Sequence, residues 1–177
     1  MIFLFKGIFF RNFVKYKEIG TRGVFVIEEF NNDNFKSKNI DEIINYSLEK
    51  TSRTLQFKLS NPGKFLDTGK ANCVGYADYF SSSINQILIK NELDNEWKVS
   101  HKIGKIEVFG IDSHQYFSSP FFKDHDFVEI QNFKTRQKIA VDATVYDYLG
   151  IDRISLKKLW IILSNFKDFQ ILMMHLS

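Results

Sequence analysis

An α+β domain is what this sequence predicts, on three observations. Apolar residues recur at helical spacing in two segments of the first half, and short β-branched and aromatic runs take over beyond Lys105. The two regimes follow one another without alternating, which favours an antiparallel sheet with helices packed on it over a parallel α/β fold. The 177 residues are 44% hydrophobic and contain only two Pro and no Gly/Ser-rich run, so nothing divides them and one domain, 1–177, is expected. Nineteen Phe dominate the aromatic content and read mainly as core filling, since Phe carries bulk without a polar handle.

The amino-terminal stretch MIFLFKGIFFRNF (1–13) is apolar but broken by Lys6 and Arg11. It is shorter than the about 20 residues of a membrane span. It also lacks the basic start and small-residue cleavage site of a signal peptide. It is expected to pack as the start of a strand or helix, with membrane-surface contact through 1–13 as the alternative reading. Cytoplasm is the default location.

GVFVIEEF (Gly23 to Phe30) reads as a strand, followed by the polar loop NNDNFKSK. Asn39 then caps a helix, with Glu42 at capping-box spacing and Ile40, Ile43, Ile44 and Leu48 on one face. That helix is expected to fray near Thr51. Leu55 to Leu59 is a short extended segment, and Asn61-Pro62-Gly63 a turn.

GKANCVGYADYF (Gly69 to Phe80) opens a second helix, because Cys73, Ala77, Phe80, Ile84 and Leu88 share a helical face. Gly75 in its first turns implies a close packing contact, and Tyr76 and Tyr79 are expected against the sheet. IEVFGI, HDFVEI and KIAVDAT read as strands. The polar QNFKTRQ makes the last two a hairpin, and a long loop, Asp112 to Asp124, precedes HDFVEI. A last helix is expected within Ser155 to Leu176, carrying Leu156, Leu159, Trp160 and Leu163 on one face.

The chemistry centres on Cys73, the single thiol. Alone, a free cysteine reads as a buried inert side chain. At the first turn of a helix, however, unpaired backbone amides favour a thiolate, which becomes a nucleophile if a base is supplied. Of the four histidines, His101, His114 and His175 stand in polar or terminal contexts, whereas His125 begins an alternating strand. Period two puts His125, Phe127 and Glu129 on one face and Asp126, Val128 and Ile130 on the other. Asp142, an acid within the apolar strand IAVDAT, needs a partner, and a hairpin brings it beside His125. The roles follow from side-chain chemistry: Cys73 attacks, His125 takes and returns a proton, and Asp142 fixes the imidazole tautomer.

The three pieces ANCVGYADYF, HDFVEI and VDAT, in that order, resemble the core signature of the transglutaminase-like superfamily, over roughly 41–150. The resemblance implies a papain-like arrangement, with a Cys-bearing helix packed on an antiparallel sheet carrying His and Asp. It also implies Cys73 as nucleophile, His125 as base and Asp142 as orienter. The family includes protein cross-linkers, peptidases, amidases and inactive relatives. Here Phe127 stands where Trp is common, Asp126 where a small residue is common, and Ala143 where Pro is common. No Trp precedes Cys73 to act as an indole oxyanion donor. The Cys73 backbone N–H is the first expected oxyanion donor, with Gln56 or Asn72 as side-chain candidates.

A peptide or protein amide is the expected substrate, and hydrolysis through a thioester is favoured over cross-linking because no acidic calcium loop occurs. An inactive binding or scaffolding module is the rival reading. No cofactor or metal is expected, since no clustered Cys/His pattern exists. Nucleic acid is not expected, because 24 Lys+Arg against 21 Asp+Glu is too balanced for a basic binding face. The single cysteine cannot form an intrachain disulfide, so the fold makes no demand on an oxidising compartment.

Overall fold

In the computed structural model, which describes residues 10, 12–27, 30, 34–58, 65–118 and 123–157, an antiparallel sheet carries helices on one face. Its strands are β1 (Val14–Arg22), β4 (Trp97–Val108), β6 (His125–Asn132) and β7 (Lys138–Val141), hydrogen-bonded in the order β1-β4-β6-β7. The short β5 (Ile111–Asp112) folds back on the end of β4. A separate parallel pair joins β2 (Gln56–Phe57) to β3 (Lys70–Ala71). The helices are α1 (Ile40–Thr54), the single turn α2 (Phe65–Thr68), α3 (Cys73–Lys90) and α4 (Ala143–Leu149).

Helix α1 begins at Asn39, whose side chain accepts from the Asp41 N–H, and it buries Ile43, Ile44, Ser47, Leu48 and Thr51. The stripe matches the expectation, but the helix runs on to Thr54, and the Glu42 carboxylate takes the Ser37 hydroxyl at 2.7 Å. Helix α3 buries Cys73, Ala77, Phe80, Ile84 and Leu88, as their spacing requires. It lies against β4 and β6, and α1 and α4 pack on it in turn. The main core forms between α3 and the sheet face carrying Trp97, Val99, Val128, Ile130, Ile139 and Val141. A second, smaller core on the opposite face holds Val14, Tyr16, Phe127, Ala140 and Ile154. Phe127 in one core and Val128 with Ile130 in the other is the alternation expected of HDFVEI.

Several expectations are corrected. The first strand is Val14–Arg22, not Gly23 to Phe30. Val14 and Tyr16 alternate inward and find β4 as partner, whereas the chain leaves the ladder after Arg22 pairs with His101 and exposes Phe25 and Val26. Strand propensity lost to strand pairing there. β4 starts at Trp97 rather than near Lys105, because Trp97, Val99 and His101 alternate inward beneath a polar outer row. Asp142 lies one residue beyond β7, as the N-cap of α4. Finally, Tyr76 and Tyr79 are buried in the main core, but their hydroxyls find partners off the four-stranded path of the sheet: Leu55 O and Asp147 for Tyr76, Thr54 for Tyr79.

The hairpin at QNFKTRQ is present, with Val128 opposite Val141 and Gln131 opposite Lys138. The Asp112 to Asp124 segment starts at the last residue of β5 and contains a 3₁₀ turn over Ser113–Tyr116. Of the expected last helix, Ser155 to Lys157 instead run extended beside β1, the Tyr16 N–H donating to Ser155 O at 2.8 Å. The remainder, with Leu159, Trp160 and Leu163, lies outside the described residues, as do Asn61-Pro62-Gly63, His175 and nearly all of 1–13.

Candidate active site

The site forms where the start of α3 meets the first residue of β6. The β2–β3 pair delivers the chain to that point, and Asn72 closes the turn, its Oδ1 accepting the Gly75 N–H at 3.2 Å. Gly75 is required here: a Cβ would lie 2.8 Å from Ala71 Cβ and 3.3 Å from the Phe65 ring. This lets β3 and α2 pack directly on the helix entrance. Cys73 consequently occupies the first turn of α3 and is 8% exposed.

Cys73 and His125 line one cleft of about 180 Å³, together with Phe57, Ile106, Ser113, His114, Phe117 and Asp124. The His125 Nε2–H donates to Asp142 Oδ2 at 2.7 Å. That fixes the tautomer, so Nδ1 is the nitrogen left for sulfur, and Cys73 is close enough to interact with the imidazole. Asp142 in turn is fully engaged. Its Oδ1 accepts the Thr144 and Val145 N–H groups at 2.9 and 3.1 Å, and its Oδ2 accepts the Tyr16 hydroxyl at 2.6 Å. Capping α4 and orienting His125 are thus done by opposite oxygens of one carboxylate.

Burial pulls the imidazole pKa down, but the charge and hydrogen bond of Asp142, followed by the interaction with Cys73, outweigh it. The His125 pKa rises well above the ordinary value. Burial pushes Asp142 up, yet His125 together with the Tyr16 hydroxyl and the Val145 amide holds it below the ordinary carboxylate value. For Tyr16, burial and the adjacent carboxylate both act upward, so its hydroxyl stays protonated and remains a donor. Its ring stands edge-on to His125, at 6.0 Å between centroids, and to Phe127 at 5.5 Å.

The structure therefore brings together Cys73, His125 and Asp142. It places the two side-chain oxyanion candidates differently. The Asn72 carbonyl oxygen is occupied by the helix cap, and the residue is buried; Gln56 is exposed on β2, while its neighbour Phe57 lines the cleft. Sequence reasoning missed Tyr16, although the alternation of Val14 and Tyr16 in VKYKE signals one inward face. It also placed His101 and His114 in polar contexts, whereas both are buried. His114 lines the cleft, its Nε2 accepting the Ile106 N–H at 3.0 Å.

No group of three or more His, Cys, Asp or Glu side chains suited to a metal ion occurs among the described residues, and no helix there is long and apolar enough to cross a membrane. Neither a family model, nor a curated protein, nor a solved structure matches the chain.

Proposed function

We propose that this protein is a transglutaminase-like cysteine enzyme with a papain-like core, acting on peptide or protein amides. The observation that carries the reading is the continuous line from Asp142 through the His125 ring to the Cys73 side chain, opening on a cleft. In this reaction His125 takes the thiol proton, and Cys73 Sγ attacks the carbonyl carbon, forming a C–S bond and an oxyanion. The Cys73 backbone N–H, unpaired at the helix start, is the first donor to that oxyanion. As the C–N bond breaks, His125 returns the proton to the departing amine. Water, deprotonated by the same imidazole, then attacks the thioester and frees the acid and the thiol. Phe57, Ile106 and Phe117 supply an apolar wall on which the substrate's side chains can pack.

Hydrolysis is favoured over amine transfer because the sequence lacks an acidic calcium loop. Faster incorporation of a primary amine than of water into a peptide substrate would reverse that preference. The chemistry needs no metal or cofactor.

A second reading, an inactive binding module on the same fold, is favoured by Tyr116 and Phe117, which stand 72% and 50% exposed at and beside the cleft. One experiment separates the two. Iodoacetamide alkylation of Cys73 is followed across pH in the wild type and in His125→Ala. The enzyme reading expects fast alkylation near neutral pH that drops at least about 10-fold in the variant. A slow reaction indifferent to His125 favours the module.

A further inference from the structure

The main core holds a second set of ionisable groups that this chemistry does not use. His101, on β4, has no exposed surface. Its Nδ1 lies 2.9 Å from Asp78 Oδ1 on α3, and its Nε2 lies 2.8 Å from Asp126 Oδ1 on β6. Ionised carboxylates only accept, so both ring nitrogens must carry protons and the ring is an imidazolium. Arg22, the last residue of β1, donates through Nε to the same Asp126 oxygen at 2.7 Å. Asp126 Oδ2 is buried without a hydrogen-bond partner. The carboxylate is therefore held entirely through the oxygen that two cations share. Two positive and two negative charges cancel, which is what allows His101 and Asp126 to be charged so deep, with Arg22 and Asp78 nearer the surface.

We propose that His101 is a positioning residue for the Cys73–His125 pair, its imidazolium fixing the nucleophile's helix against the base's strand. The catalytic meaning of this role rests on the acyl-transfer reading above; the clamp itself does not. Asp78 sits about one and a half turns after Cys73 on the same helix, so anchoring it sets the rotation and height of α3. Asp126 directly follows His125 on β6, and alternation turns its side chain to the helix face. In the ladder, His101 opposes Val128 and Ile103 opposes Asp126, which makes His101 and Asp126 diagonal neighbours on one face. One ring thereby ties residue 78 to residue 126, and so the two elements that must present sulfur and imidazole to each other.

The groups facing His101 are Asp78 from α3 and Asp126 from β6, with Arg22 from β1 behind Asp126. Burial lowers the His101 pKa, and the hydrogen bonds and charges of Asp126 and Asp78 more than offset this. The clamp is thus complete below the ordinary histidine value and is lost as pH rises through the raised one. Once neutral, the ring would turn a lone pair toward one of the two carboxylates.

The test follows the ring resonances of His101 and His125 by ¹⁵N NMR across pH, in the wild type, His101→Gln and Asp78→Asn. Cys73 alkylation by iodoacetamide, and kcat and KM on a peptide amide, are measured on the same samples. At pH 7 the His101 ring is expected to be doubly protonated. In folded His101→Gln, alkylation and kcat fall about 10-fold with KM within about 2-fold, and the His125 midpoint drops as sulfur and imidazole separate. Asp78→Asn gives a smaller loss, about 3-fold, and moves the alkaline limb to lower pH. If His101→Gln does not fold, Asp78→Asn decides by the same measurements. A singly protonated His101 ring at pH 7, or a folded variant with wild-type His125 titration and alkylation, overturns the proposal. Absence of wild-type turnover, with the His125 shifts still present, removes the acyl-transfer reading and leaves the clamp standing.

Discussion

Tyr16 illustrates how one hydroxyl can matter beyond its size. Asp142 Oδ2 accepts both from it and from His125, inside a site where Asp142 is 1% exposed. Tyr16→Phe removes a donor to a buried charge and is expected to cost about 1.5–3 kcal/mol in urea denaturation. Because that hydroxyl helps hold Asp142 below the ordinary carboxylate value, its loss moves the carboxyl pKa up. The stability that Asp142 loses on acidification should then be smaller than in the wild type and its loss complete at a higher pH, since the onset is set by the unfolded carboxyl. At this scale the meeting of Cys73, His125 and Asp142 was legible, because each sits inside a short local pattern. Tyr16 was harder to read because 126 positions separate it from Asp142, and His101 because its partners come from two different elements. Only the assembled sheet reveals what such residues touch.

Among the elements, the entrance to α3 is the most constrained. An alanine at Gly75 would gain about 1 kcal/mol in helix propensity. It would also put a methyl group 2.8 Å from Ala71 Cβ, a rigid neighbour that cannot swing aside. Overpacking of this kind costs about 1–3 kcal/mol, so Gly75→Ala should destabilise on balance. A lower midpoint in thermal melting, with Cys73 alkylation slowed in the folded protein, is the expected result. Helices α1 and α3 were legible because caps and apolar stripes are local: Asn39 and the stripe of α1 fell where their spacing placed them, whereas the start of α4 was read as strand. Strands were less so. GVFVIEEF has the composition of a strand, yet the ladder partner of β4 is the more polar VKYKEIGTR. Pairing and burial, which no short window contains, made that choice. Asp142 shows the same limit: IAVDAT reads as one run, but the carboxylate's ability to cap α4 ends the strand at Val141.

Across the whole molecule the raised imidazoles and lowered carboxylates define a stability window. His125 and His101 are raised above 6.5, so their contributions are complete below that value and are lost as pH rises through the folded values. Asp142 and Asp126 are lowered below 3.8, so theirs are complete above that value and are lost as pH falls through the folded values. A plateau between these limits, with loss on both sides, is expected from urea denaturation measured across pH. Flattening of the alkaline side in His101→Gln would assign part of it to the clamp.

Strand β1 contributes to both charged clusters, Tyr16 to one and Arg22 to the other, yet its ladder partner comes much later in the chain. During synthesis the thiol therefore emerges well before the groups that would awaken it. A nascent or misassembled chain would carry only an ordinary sulfhydryl, harmless to its neighbours. On the acyl-transfer reading, reactivity would arrive only with correct closure, a reporter of finished folding rather than a hazard along the way.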